Sequence, residues 1–234
     1  MHKTMLQGQE RADYVNGIFR RIAGNYDRMN HLMTAGQDRR WRQEAIRRLQ
    51  LIPGQHLLDL GAGTGDLARE ALKQQSQSKV AAADFTLPMM LAGQQRGSLP
   101  FVAADGLKLP FAEDTFDGVV SGFLLRNVGN LDKALSEQLR VLRVGGHLVI
   151  LETTKPRRNL LTPFIWLHMH LIIPLLGGLV SGFREAYQYL PNSSEQFLSA
   201  EELAARLSAA GFSQVGFRRL MFGTIAIHWA IKPD

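Results

Sequence analysis

The sequence predicts a doubly wound α/β domain, and three observations carry that prediction. Apolar strand-like runs alternate with helix-period segments, one run passes directly into a glycine-rich turn and a helix, and two further runs end on aspartate. At 234 residues, 45% of them hydrophobic and 21% charged, the chain is long enough for one sizeable core, so a single domain over 1–234 is expected. With no cysteine, disulfides, thiolate metal ligands and cysteine nucleophiles are excluded. The polar start MHKTMLQGQERADY has no signal-peptide core, so a cytoplasmic location is expected.

From about Tyr14 to Leu51 the apolar spacing is helical, with a loop near Asn25 and a Pro53-Gly54 stop, which gives an N-terminal helical cap over 14–51. QHLLDL reads as a buried parallel strand and DLAREALKQ as the helix after its glycine turn. KVAAADF is strand-like, PMMLAGQQ helical, PFVAADG and FDGVVSGF strand-like, LDKALSEQLRVL helical and HLVILET strand-like. Strands separated by helices imply right-handed crossovers, hence a parallel sheet with helices on both faces. Ser199 and Glu202 make a capping box for a helix that stops at Gly211. FSQVGFRRL and TIAIHWAIK, flanking Met221, Phe222 and Gly223, read as an antiparallel hairpin on the sheet edge. The expected architecture is Rossmann-like, with a seven-stranded, mostly parallel sheet. Residues 155–197 break the alternation and form an insertion between the fifth strand and the last helix, strongly apolar over 160–180.

Asp59-Leu-Gly-Ala-Gly-Thr-Gly-Asp66 lies where the first strand becomes a helix, and Gly61, Gly63 and Gly65 let a ligand approach the backbone. A dinucleotide fingerprint would place its third glycine at position 66. Asp66 stands there instead, and a carboxylate at a helix start repels phosphate but suits a cation. S-adenosylmethionine carries two cationic groups, a sulfonium and an ammonium. Asp84 ends the second strand, where an acid meets ribose hydroxyls, and Asp105-Gly106 ends the third, within reach of an adenine amino group. The competing reading of the loop is a tight turn without ligand. Three strand ends carrying loop, acid and acid in order favour the cofactor.

The chain also resembles the ubiquinone/menaquinone biosynthesis C-methyltransferases from about Phe19 to Lys232. IAGNYD at 22–27, MN at 29–30 and RRWR at 39–42 are similar to that family's opening signature. LDLGAGTGDLA, LPFAEDTFD, LLRNV, RVLRVGGHLVILE, KP, YQYLPNSSEQF and GTIAIHWAIK follow in order, with Arg126-Asn127-Val128 the most specific. The resemblance implies a class I methyltransferase fold, with S-adenosylmethionine converted to S-adenosylhomocysteine and no metal. It implies that Thr64, Asp84, Asp105 and Gly106 hold the cofactor, with Asp59, Phe85, Met89, Ser121 and Gly122 as further candidates beside the three loop glycines. Arg126 and Asn127 would meet the reacting end of a lipophilic quinol, lined by Tyr26, Phe123, Trp166, Tyr187 and Tyr189. Two departures touch that side: Gly122-Phe-Leu-Leu125 replaces Ser-Phe-Gly-Leu, moving a serine contact to Ser121 or removing it, and Glu152-Thr153-Thr154 replaces Glu-Phe-Ser.

Methyl transfer from a sulfonium needs alignment and exclusion of water. On a hydroquinone the nucleophile is a ring carbon made electron-rich when a neighbouring hydroxyl ionises. Arg126 would stabilise that phenolate and Asn127 orient the ring oxygen, with a water or Asp105 taking the proton. The alternative for Arg126 is a surface pair with Asp132 or Glu137. A nitrogen target is disfavoured, because Gly-Phe-Leu-Leu-Arg-Asn stands where amino-methylating enzymes of DNA and protein carry Asp/Asn-Pro-Pro-aromatic.

A net charge of +6 and Arg39, Arg40, Arg42, Arg47 and Arg48 on one helix fit either a solvated face or an anionic surface. Pro163, Pro174, His168, His170, Gly177 and Gly178 argue against a spanning helix in 160–180 and for two short helices, packed on the core or walling a greasy tunnel at the membrane surface. Peripheral association with the inner face of the membrane is therefore expected, and a homodimer is compatible with the sequence. His168, His170 and His228 read as core or interface residues. Competing functions are methylation of a soluble aromatic metabolite and a non-catalytic cofactor- or lipid-binding module. Nucleic acid as a partner is disfavoured, since no aromatic stacking platform accompanies the charge.

Overall fold

A computed structural model describes residues 8–155 and 193–234, together with Pro163, Leu167, Leu171 and Tyr189. Strands β1 (His56–Leu60), β2 (Lys79–Asp84), β3 (Phe101–Ala103), β4 (Phe116–Gly122), β5 (Leu142–Thr153), β6 (Ser213–Leu220) and β7 (Ile225–Ile231) form one sheet in the order β3-β2-β1-β4-β5-β7-β6. The first five are parallel, and β7 pairs antiparallel to both β5 and β6, as the alternation and the terminal hairpin predict. Strand order reverses at β1/β4, so the crevice at their carboxyl ends is where an open sheet of this kind takes a ligand.

Side-chain alternation sets the layers. Leu57, Val120, Val149 and Leu151 face one core, with Trp41, Ala45, Ile46, Leu67 and Ala68 from helices α3 (Gln37–Arg48) and α4 (Asp66–Gln74). Leu58, Leu60, Val119, Leu148 and Ile150 face the other, with Leu135 of α6 (Leu131–Val141) and Leu203 and Leu207 of α7 (Ala200–Ala209). Helix α5 (Leu87–Gln94) follows β2. Both cores are apolar, so β1 and β5 bury apolar side chains on both faces, Leu57 and Leu58 in the one and Leu148 to Leu151 in the other.

The cap differs from its expected single break. It comprises α1 (Gly8–Ile22), α2 (Tyr26–Met33) and α3, with a second turn at Ala35 and Gly36, both at positive φ. The last cap helix ends at Arg48, before Pro53-Gly54. Strand β5 begins at Leu142, earlier than HLVILET, because Gly145 at positive φ and Gly146 let the chain bend without leaving the sheet. The Ser199–Glu202 capping box forms as expected. Apart from Pro163, Leu167 and Leu171, the apolar 160–180 stretch, with Trp166, His168 and His170, lies outside the described residues, and so does Tyr187. Among the described residues no helix is long and apolar enough to cross a membrane.

Candidate active site

At the carboxyl end of the sheet the strand ends and α1 enclose a cavity of about 220 Å³. Its floor begins with the glycine turn. Gly61 and Ala62 donate to the Ala83 carbonyl at 2.8 and 3.0 Å, which brings the turn over β2. A Cβ on Gly61 would lie 2.9 Å from Leu124 Cδ1 and one on Gly63 3.2 Å from the Met89 methyl, with both backbones at positive φ, so side chains here would fill the cavity and strain the turn. Asp84 joins the two loops: Oδ2 accepts from Gly63 N–H at 2.7 Å and Oδ1 from Thr86 N–H at 2.7 Å. Burial raises its carboxyl above the ordinary value, opposed by those backbone donors. Phe85, Met89, Asp105, Gly106 and Gly122 line the cavity as expected.

Four expected cofactor residues do not line it. Asp59 is fully buried, and its Oδ2 accepts from Ala68 N–H at 2.9 Å. Gly65, the residue before α4, has no side chain to cap the helix, and the strand carboxylate satisfies that donor instead. Burial, reinforced by Asp84 and Asp66, pushes Asp59 up to about 7. Gly65 itself serves packing, since a Cβ would fall 2.5 Å from Leu99. Thr64 is 2% exposed and donates to Asp27 Oδ1 at 2.8 Å, turning its hydroxyl toward α2. Ser121 is fully buried in β4, so the displaced serine contact does not reach the cavity.

The acceptor side is built by β4, β5 and the cap. After β4 the chain turns at Phe123, at positive φ, into a 3-10 turn over Leu125–Asn127. Arg126 is buried and pairs through Nη1 with the fully buried Glu152, whose Oε2 also accepts Arg126 N–H at 3.3 Å. Glu152 further accepts Thr153 N–H at 2.7 Å. The guanidinium thus sits behind the wall rather than in it, because an arginine lodged in an apolar interior needs a carboxylate partner. Asp132 and Glu137, its alternative partners from sequence, pair with Arg206 and Arg140. Asn127 does face the cavity: its amide nitrogen donates to Phe123 O at 3.0 Å and its oxygen accepts from Tyr189 at 3.0 Å. Tyr26 meets Phe19 edge-on at 5.8 Å and both line the cavity as an aromatic roof, whereas Tyr189, which meets Tyr14 likewise, does not line it and reaches it only through Asn127. Burial pushes the Tyr26 phenol up, opposed by the nearby Asn30 amide and the charge of Arg126.

Asp105 lines the cavity mouth, but its carboxylate is exposed and accepts from Leu107 N–H at 2.9 Å, closing its own turn. Glu152, Asp27 and the α1 residues Val15, Asn16 and Phe19 were not anticipated as site residues. The signal for Glu152 was a charged residue closing a run of buried apolar ones; for Asp27, its place beside Tyr26. His228 is a core residue: burial lowers it to about 4 and its Nε2 bonds the Ala200 carbonyl at 3.0 Å. Among the described residues no group of three or more His, Asp or Glu gathers for a metal.

Among the described residues the cavity wall holds two carboxylates, Asp84 and Asp105, and no lysine, arginine or histidine. That donor set, with glycine cradles a Cβ would fill, fits a cationic nucleoside and opposes a phosphate.

The family described as the ubiE/COQ5 methyltransferase family matches residues 5–232. The chain is 40% identical over 221 residues to the ubiquinone/menaquinone biosynthesis C-methyltransferase UbiE of Desulfotalea psychrophila, covering 93% of this chain and 90% of that one. It is 41% identical over 227 residues to the demethylmenaquinone methyltransferase of a Roseiflexus species, covering 95% of each. Among solved structures it superposes on the complex of the Haloferax volcanii Trm112 methyltransferase activator and a methyltransferase (TM-score 0.67, 16% identity, 92% of this chain and 98% of that one). It also superposes on a Haemonchus contortus phosphoethanolamine N-methyltransferase in complex with S-adenosylhomocysteine (TM-score 0.62, 16% identity, 82% and 52%). At those identities the superpositions speak for the fold.

Proposed function

We propose, from the premise that this chain belongs to the ubiE/COQ5 methyltransferase family, that its acceptor is a polyprenylated quinol, demethylmenaquinol or the equivalent benzoquinol. As a member of that family it is an S-adenosylmethionine-dependent C-methyltransferase of quinone biosynthesis. The observation that carries the acceptor reading is the division of the cavity: carboxylates and glycine backbone at one end, an aromatic roof with the Asn127 amide at the other.

The cofactor supplies a methyl group already activated on a sulfonium. Asp84 would receive the ribose hydroxyls on the lone pairs left by its two backbone donors, and the Gly61–Gly63 backbone would let the nucleoside lie close. Asn127 holds the acceptor oxygen beside the nucleophilic ring carbon. Arg126, paired with Glu152, fixes the turn that carries Asn127. Tyr26 stays protonated and is available as a donor. Phe19, Phe123 and Met89 exclude water.

A polyprenyl tail leaves the bilayer at about 0.8 kcal/mol per methylene, so the enzyme works at the membrane surface. Of the five α3 arginines, Arg42 pairs with Asp38 and Asp66, and Arg48 stacks 3.6 Å over Trp229. Arg39, Arg40 and Arg47 remain exposed for anionic lipid.

Incubation of the purified protein with methyl-labelled cofactor and a panel of demethylated quinols, short and long in tail, tests the reading. Label in the quinol ring with preference for long tails is expected; label only in soluble aromatics would overturn it. Flotation with anionic vesicles at low salt should retain the protein, and failure to float would remove the membrane claim.

A further inference from the structure

The Thr64 hydroxyl, turned away from the cavity, meets a carboxylate that neither fold nor cavity requires. Asp27 Oδ1 accepts from it at 2.8 Å, while Asp27 Oδ2 takes Arg96 Nη1 at 2.5 Å. The same Arg96 nitrogen lies 3.2 Å from Thr64 Oγ1 and 2.8 Å from Asp66 Oδ1, on the first residue of α4. Helix α2, the glycine turn, the start of α4 and the chain just after α5 therefore converge on one point. On either side of that point stand cavity residues: Tyr26 precedes Asp27, and Gly63, held by Asp84, precedes Thr64.

We propose that Asp27 is a positioning residue that couples the cofactor loop to the acceptor wall, so that Tyr26 takes its place in the roof when the glycine turn holds its cofactor-bearing shape. The path is short: Asp84 to Gly63 by a hydrogen bond, Gly63 to Thr64 through the chain, Thr64 to Asp27 by a second hydrogen bond, and Asp27 to Tyr26 through the chain. Stability alone does not explain the cluster. The Arg96 and Asp27 side chains are 41% and 30% exposed, and pairs this wet contribute little. What the contact supplies is geometry: α2 has only eight residues, and besides its apolar cluster with α1 it is tied to α3 by the His31–Asp38 hydrogen bond, so Asp27 is its link to the glycine turn. The inference rests on the cofactor reading above, and the experiment separates the two.

Hydrogen exchange of the Tyr26–Met33 amides, with and without saturating S-adenosylhomocysteine, is the direct readout. It is to be run on the full chain and on Thr64→Val, which is isosteric but has no hydroxyl, Asp27→Ala and the double variant. Calorimetry on the same samples confirms occupancy. In the unmodified protein the ligand should slow exchange in α2 by roughly tenfold, within the usual range of inter-site coupling. In each single variant, with ligand bound, that protection should fall below about threefold, and the double variant should match the singles. With the quinol, Thr64→Val should raise the acceptor KM and leave affinity for S-adenosylhomocysteine within about threefold. Full ligand-dependent protection in Thr64→Val, or additive losses in the double variant, would overturn the coupling while leaving the cofactor reading intact. No heat of binding in the unmodified protein would overturn both.

Discussion

At the ends of β1, β2 and β3 the cavity wall is shaped by glycines and by carboxylates that accept from backbone N–H groups, Asp84 from Gly63 and Thr86 and Asp105 from Leu107. At the end of β4 it is made of side chains from the cap and from the turn after β4, held from outside the lining by the Glu152–Arg126 pair and the Asn127–Tyr189 bond. A cofactor common to many methyltransferases needs a surface that short-range sequence encodes. An acceptor particular to one family needs contacts that only the folded chain assembles. Disturbance of the first half should appear in cofactor affinity, and of the second in turnover and acceptor affinity.

The largest expected effect is at the buried pair. Glu152→Ala leaves a guanidinium in the interior without its carboxylate and should destabilise by about 3–5 kcal/mol, a melting point lower by roughly 10 °C for a chain of this size. Arg126→Ala should lower turnover by about a hundredfold while affinity for S-adenosylhomocysteine changes by less than about threefold. Equal losses in both would erase the division between the halves.

Next comes Asp59→Asn, which keeps an acceptor for Ala68 N–H and removes a charge. The folded carboxyl titrates at about 7, above its unfolded value, so its contribution to stability is full below the unfolded value and is lost as pH rises through 7. Denaturant titrations of the variant and the unmodified protein should therefore agree near pH 4 and diverge in the variant's favour toward pH 8, by a few kcal/mol. A gap independent of pH would contradict the assignment. The smallest effect is at Tyr189→Phe, which removes one hydrogen bond to Asn127. It should raise the acceptor KM by about five- to tenfold, on the order of 1 kcal/mol, with no change in cofactor affinity.

The strand–helix alternation, the capping box and the glycine turn were legible because each is written within a few residues: apolar runs between helix-period segments, Ser199 three residues before Glu202, and glycines at a strand–helix junction. The cavity lining at β1 to β3 was legible in outline for the same reason. The exceptions there, Asp59, Thr64, Gly65 and Ser121, belong to the right loop or strand, but their orientation depends on partners elsewhere: Ala68 in the next helix, Asp27 thirty-seven positions away, Leu99 across the fold. Arg126 shows the limit most clearly. Its motif marked it as functional, but its partner is Glu152, twenty-six positions on and one strand over. Pairing at that range depends on the register of β4 against β5, where Gly122 meets Leu151. The second break in the cap was missed because Ala35 at positive φ has no sequence signature, unlike the glycine beside it.

The claim on which the rest depends is that Asp84 and the glycine backbone hold a cationic nucleoside. Titration calorimetry of S-adenosylmethionine and S-adenosylhomocysteine into the unmodified protein and Asp84→Ala tests it directly. One site per chain is expected for both ligands, weakened by roughly 10- to 100-fold in the variant, the loss expected when a carboxylate that accepts from ribose is removed. No heat from well-folded protein, or equal affinity in the two proteins, would contradict it.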